Sequence, residues 1–284
     1  MENLADVLAK AYMHINELQN WQYFLLSGVL FMGLAFLFPG NKNQPFFHKA
    51  MIADTIYWFG SSYITRPFGW LLGIVIYNSL YSQESIVEIQ NAGIPPLNQL
   101  PLWVQALLVM LVMDFMQYGT HRLFHTGKLW KFHAIHHSPI NVDWLTCSRF
   151  HPVNVIVHST LVAVIVSAMG FSPYVWAIIG PFNMIYSPLV HANLNWTYGP
   201  FRYFLASPVF HRWHHTHMKE GGSSNFAPTF PFIDIMFGTY YDPKDKKPTI
   251  FGAENDPVPE NIIGQLIYPF VKKDFFVKRN NIND

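Results

Sequence analysis

The apolar residues of this chain fall in long blocks separated by polar, histidine-rich or proline-containing stretches. Trp21 to Phe38 is an almost unbroken apolar run, long enough for one crossing of a bilayer core. Pro39-Gly40 stops it. Residues 51–82 are again apolar but carry Arg66-Pro67 in the middle. Arginine at the centre of a bilayer is expensive. The pattern therefore predicts an interfacial or short helix over 51–65 and a crossing over 67–82, with a hairpin of two short helices as the alternative. Residues 83–100 hold no Lys or Arg and read as a loop on the far side. Leu102 to Tyr118 is the next apolar run and leads directly into His121. Two more, 153–169 and 173–190, are split by Gly-Phe-Ser-Pro and predict a helical hairpin returning to its starting side, which brings His191 back beside the earlier histidines.

The pattern predicts an all-α integral membrane protein with about four to five transmembrane helices, near 21–39, 67–82, 102–120, 153–169 and 173–190. A helical cap formed by 121–150 and 191–242 would sit above them. Residues 1–245 read as a single membrane-embedded domain. Residues 246–284 read as a tail in which IIGQLIYPFVKKDFFVK mixes apolar and basic residues. That stretch suits a membrane surface or an ordinary packed amphipathic helix.

Composition agrees with a membrane setting. Charged residues are 12% of the chain, about half the usual share, and aromatics are 17%. The mean hydropathy of only +0.15 fits an apolar half joined to a polar one. A net charge of +1 gives no case for nucleic acid. The single Cys147 rules out an internal disulfide and a cysteine-based zinc site. Acidic Glu2 and Asp6 before the first apolar run argue against a secretory signal. Arg122, Lys128, Lys131 and Arg149 cluster after the 102–120 run and place the cap on the cytoplasmic face by the positive-inside rule. That is the inner membrane in a bacterium and the endoplasmic reticulum in a eukaryote.

The chemistry lies in the cap. Twelve of the fourteen histidines fall between 121 and 217. His121 and His125 stand four apart; His133, His136 and His137 follow; the same spacing returns at His211, His214 and His215. Positions i, i+3 and i+4 share a helix face, so each box aims two or three imidazoles at one region. Neutral imidazole is a common ligand for mid-row transition metals. Eight box histidines suffice for two metals, and His191 offers a ninth ligand. His14, His48, His158 and His217 fit no box and read as ordinary histidines. His151 reads either as a neighbour of the ligands or as a helix cap. A zinc-protease signature needs a Glu after the first histidine; here Arg122 stands there. Glu-rich di-iron bundles do not match either, because between 114 and 217 the only acids are Asp114 and Asp143. A nitrogen-rich site at a membrane face suits iron that activates O2 beside an apolar substrate, and zinc would satisfy the same ligands.

The ordered boxes, with DFMQYGTHRLFH leading in, HHSPINVDWLTCSRFHP following the second, HANL at 191–194 and NFAPTFPFIDIMFGTYY after the third, resemble the fatty acid hydroxylase/sterol desaturase superfamily of integral membrane oxygenases. The resemblance covers roughly residues 50–242. It implies a non-haem di-iron centre, O2 as co-substrate, external electrons, and a lipid, sterol or related hydrocarbon as substrate. It implies His121, His125, His133, His136, His137, His211, His214 and His215 as iron ligands, joined by His191. Asp114, Asn193 and Asn225 are expected to hydrogen-bond ligand rings from behind. Hydroxylation is the leading expectation, with desaturation as its alternative. A zinc-dependent membrane hydrolase and a metal-binding or transport protein are the rival classes. No His-Pro-Gly-Gly haem motif is present, so a separate electron-transfer protein is expected. Lys128, Lys131, Arg202, Arg212 and Lys219 would dock it or contact lipid headgroups. Trp130, Trp144, Trp196 and Trp213 would line the substrate cavity or simply pack.

Overall fold

A computed structural model describes residues 20–80, 82, 93–253, 256–272 and 275. His14, the 83–92 part of the expected far-side loop, and residues 276–284 of the tail lie outside the described residues. The fold is all-α. Among the described residues, extended pairing is confined to two isolated bridges, Pro39 with Leu194 and Thr216 with Phe251.

Helix α1 spans Asn20–Leu37 and α2 spans Ala50–Leu80. The expected break at Arg66-Pro67 does not occur, and α2 continues through Pro67 for 31 residues. Proline removes one backbone donor and strains the preceding turn. A long helix bounded by apolar residues tolerates that loss without ending. Helix α3, Leu102–Phe124, starts after Pro101 and carries the first histidine box in its last turn. It is the one helix among the described residues that is long and apolar enough to cross a membrane. Trp21–Leu37 and Pro152–Val166 form shorter apolar helices.

Helix α4, Trp130–His137, carries the second box. After a 3₁₀ turn at Trp144–Ser148, α5 spans Pro152–Met169 and α6 spans Trp176–His191. Asp143 and Thr146 form a reciprocal capping box on the 3₁₀ turn, satisfying backbone donors that would otherwise be orphaned. Helix α7, Pro208–His214, carries the third box. Ser207 caps it by accepting the Phe210 N–H at 3.1 Å, and Pro208 sits where its missing N–H costs nothing. Gly221 follows closely: a Cβ there would lie 2.7 Å from the Trp213 carbonyl oxygen. Short α8, Phe232–Met236, and α9, Ile262–Ile267, complete the set.

Two apolar clusters position the cap. Ala106 and Val109 of α3 pack on Val162 and Val166 of α5 and on Val175 and Ile179. Tyr57 of α2 packs on Ala134 and Ile135 of α4 and on Tyr268. The second cluster bears on the tail. Trp130 Nε1 donates to Asp256 at 2.7 Å, Lys131 Nζ donates to the Val271 carbonyl at 2.7 Å, and Gln265 is fully buried. Of the two readings for the tail, packing holds over 256–271, which lies against the second box.

Candidate metal centre

The structure brings all nine histidines into two adjoining groups. His121, His125, His133, His137 and His214 form one, and His136, His191, His211 and His215 form the other. Within each group the ligand atoms all lie within 4.8 Å of one another. The groups touch: the His137 and His215 rings stack with centroids 4.7 Å apart.

Helix geometry explains the division. In an H-x-x-H-H box, residues i and i+4 lie about 40° apart around the axis while i+3 falls on the other side of i. Helix α4 gives His133 and His137 to the first group and His136 to the second. Helix α7 does the reverse, giving His211 and His215 to the second and His214 to the first. Two short helices with the same spacing, used in opposite senses, thus build two neighbouring nitrogen cages. His121 and His125 from the end of α3 complete one, and His191 from the end of α6 completes the other.

The backbone fixes the ring orientations. His121 Nδ1 donates to the Phe226 carbonyl at 2.7 Å, His214 Nδ1 to Ser224 at 2.7 Å, His191 Nδ1 to Ser187 at 2.7 Å and His136 Nδ1 to Arg149 at 3.1 Å. His133 Nδ1 pairs with Asn154 Oδ1 at 2.7 Å. A carbonyl only accepts, so these rings carry their proton on Nδ1 and present a bare Nε2. His121 Nε2 and His133 Nε2 face each other at 2.9 Å, and His191 Nε2 faces His136 Nε2 at 3.4 Å. Two buried lone pairs this close repel unless a cation lies between or beside them. His214 Nε2, His137 Nε2 and both nitrogens of His125 are buried with no protein partner. The donor set fits metal ions.

Protonation is disfavoured as well. Burial holds His133, His136, His137, His211, His214 and His215 well below the ordinary histidine range, and the charge of neighbouring protonated rings would add to the effect. Below pH 6.5 the unfolded chain takes up protons that these folded rings refuse, so stability falls as pH falls. We expect the metal-free protein to melt at a lower temperature at pH 5.5 than at pH 7.5. An equal or higher Tm at pH 5.5 would contradict buried neutral rings.

Two of the three expected supports, Asp114 and Asn225, act one bond further out than the sequence suggests. The Asp114 carboxylate accepts the Thr229 and Phe230 N–H groups at 2.9 and 2.8 Å rather than a histidine ring. Asn225 bonds the Phe210 and Tyr241 backbone. Its left-handed φ of 59° is one that asparagine tolerates. Asn193 does not support a ring at all; it ties down Asn41 at 2.8 and 2.9 Å. Asp234, not singled out by sequence, accepts Phe226 N at 2.8 Å, Ala227 N at 2.9 Å and Thr239 Oγ1 at 2.7 Å. Burial pushes its carboxyl up to about 6, still ionised at pH 7 and matched to three donors. Asp114, Asn225 and Asp234 therefore hold the 224–230 loop, whose carbonyls hold His214 and His121.

Asn154, which holds the His133 ring, belongs to no sequence motif. Its only signal is a polar residue in the first turn of an apolar run. Asn154→Ala should weaken metal binding about 10–100-fold by freeing the His133 ring, measured by competition with a chelator; unchanged affinity would refute this role.

The remaining histidines stay outside both groups. His48 Nε2 lies 2.7 Å from Asp143, and His158 Nδ1 lies 3.0 Å from Thr120 Oγ1. His151 caps α5 by accepting Val153 N–H at 3.1 Å, which decides between its two readings. His217 precedes a π-helical turn at Met218–Gly222. Arg212, expected at a docking face, is buried and donates to the Val142 carbonyl; Lys128 and Lys219 remain exposed.

Residues 106–239, which hold all nine histidines, match the fatty acid hydroxylase family. This part of the chain belongs to that family. Ornithine lipid hydroxylase OlsE of Rhizobium tropici is 29% identical over 177 residues, covering 62% of this chain and 53% of that protein. Alkylglycerol monooxygenase of Xenopus tropicalis is 31% identical over 142 residues, 49% of this chain and 31% of its own length. Very-long-chain aldehyde decarbonylase GL1-11 of Oryza sativa subsp. indica is 27% identical over 158 residues, 52% and 58% respectively. The match thus spans about half or less of the first two relatives. No solved structure matches.

Proposed function

We propose that this chain is a membrane-bound, non-haem di-iron oxygenase that hydroxylates a C–H bond of a lipid, sterol or related hydrocarbon. The reading is carried by the facing bare nitrogens, His121 with His133 and His136 with His191. The first group would hold one ion through five imidazoles and the second another through four. Five nitrogens exceed the four of a closed tetrahedral zinc site, which favours iron. When bound, such a pair supplies O2 activation and oxidation of an unactivated C–H bond. The chain's own residues fix the rings through backbone carbonyls and keep the second group dry, because all four of its histidines are buried. Hydroxylation is favoured over desaturation by the hydroxylase and monooxygenase among the relatives.

Membrane attachment is supported by α3 and by α1, where Leu25, Leu26, Val29, Phe36 and Leu37 are each more than half exposed. An apolar face of this kind needs covering, and lipid is the covering we infer. Electrons would come from a separate protein docking on the cytoplasmic side near Lys128 and Lys219.

Cells carrying the chain, grown under isotopically labelled O2, should contain a lipid class with one added labelled oxygen atom. Cells carrying the His136→Ala variant should lack it. Identical lipid extracts would overturn the reading.

A further inference from the structure

A cavity of about 290 Å³, open on one side where Asn183, Met184 and Ser187 are exposed, lies between α2, the segment after the second box, α5 and α6. At about 30 Å³ each it takes roughly ten water-sized groups. It abuts the second histidine group. Phe150 lines it and stacks on the His136 ring with centroids 4.0 Å apart. Ser187 also lines it, and the Ser187 carbonyl orients His191. Met184 and Val155 make its walls largely apolar.

Ser61, Ser148 and Asn183 add polar groups to the lining, and two adjacent residues of α2 stand out among them. Tyr57 and Trp58 both line the cavity, and the Tyr57 hydroxyl and Trp58 Nε1 are buried with no acceptor in the protein. Tyr57 as a whole is only 6% exposed. A buried donor left unpaired is destabilising, and native structures keep few of them. Apolar pockets with a small number of placed donors are how proteins orient apolar ligands.

We infer that this cavity receives a lipid chain bearing a carbonyl oxygen, as in an ester or amide, and that Tyr57 and Trp58 donate hydrogen bonds to that oxygen. The anchor would set which carbon lies against His136 and His191, making these two residues determinants of regiospecificity. The positioning at the metals rests on the proposed function, whereas the binding itself does not.

The test uses the whole chain in detergent, without reductant. The probes are methyl palmitate with an isotope-labelled carbonyl and an alkane of matched length. We expect the ester to bind about 5–30-fold tighter than the alkane, the worth of one to two hydrogen bonds. We also expect its carbonyl stretch to be lowered by hydrogen bonding. Tyr57→Phe should cut the preference several-fold and raise the stretch part-way towards that of the free ester; Trp58→Phe is the second variant should the first fail to fold. Met184→Trp, which fills the cavity, should weaken both probes. Retained preference and stretch in the Phe variants, or unweakened binding in Met184→Trp, would overturn the inference. Repeating the titration on chelator-stripped protein separates the two readings: a preference that persists there stands even if no oxidation is found.

Discussion

His136→Ala and His214→Ala will each lower bound metal and cut the proposed lipid oxidation by more than about 100-fold, beyond the range for residues that only orient a ligand. His136 belongs to the four-nitrogen group and His214 to the five-nitrogen group, so either change leaves one cage incomplete. A second readout separates this from simple damage to the fold. In the metal-free chain the His136 Nε2 lone pair faces that of His191 at 3.4 Å, an arrangement that metal binding alone makes favourable. Relief of that repulsion offsets part of the lost Arg149 hydrogen bond, so deleting His136 should lower the Tm of the metal-free protein by less than that of the metal-loaded protein, while metal content falls. His158→Ala is the control, with metal content unchanged because that ring pairs with Thr120 outside both groups. Full activity in either box variant would refute its assignment.

The largest effect on folding is expected at Asp234. Asp234→Ala strands the Phe226 and Ala227 N–H groups and the Thr239 hydroxyl in a buried site. At about 1–3 kcal/mol for each orphaned group, partly relieved by water, the cost is about 3–5 kcal/mol, a fall in Tm on the order of 10 °C. Metal content should drop as well, since the Phe226 carbonyl orients His121. Asp234→Asn keeps one acceptor oxygen and should recover part of both losses. Thermal melts and metal analysis of the two variants check this. An alanine variant that melts and binds metal like the parent would remove Asp234 from the account.

The nine clustered histidines were legible because helical spacing is local: i, i+3 and i+4 are read directly from the chain. Their split into five and four was not legible, since it depends on how α4 and α7 face each other across more than seventy residues. The all-α class was also readable from the apolar blocks. Arg66-Pro67 predicts a break by a local rule about proline and arginine, whereas α2 runs on through Pro67. Asp114, Asn193 and Asn225 were recognised as polar residues that matter, but their partners are backbone groups up to 152 positions away. Asn154 and Asp234 act through backbone and ring contacts that no spacing encodes. The Tyr268 side chain shows why the tail was ambiguous: its burial against the second box is a tertiary fact, and the alternating pattern suits lipid equally well.

Metal analysis of the purified chain, with Mössbauer spectroscopy and oxygen uptake on adding a reductant, tests the two nitrogen cages most directly. Two irons per chain in nitrogen-rich surroundings, with reductant-dependent consumption of O2, are the expected result. A single ion, or zinc with no oxygen uptake, would contradict it.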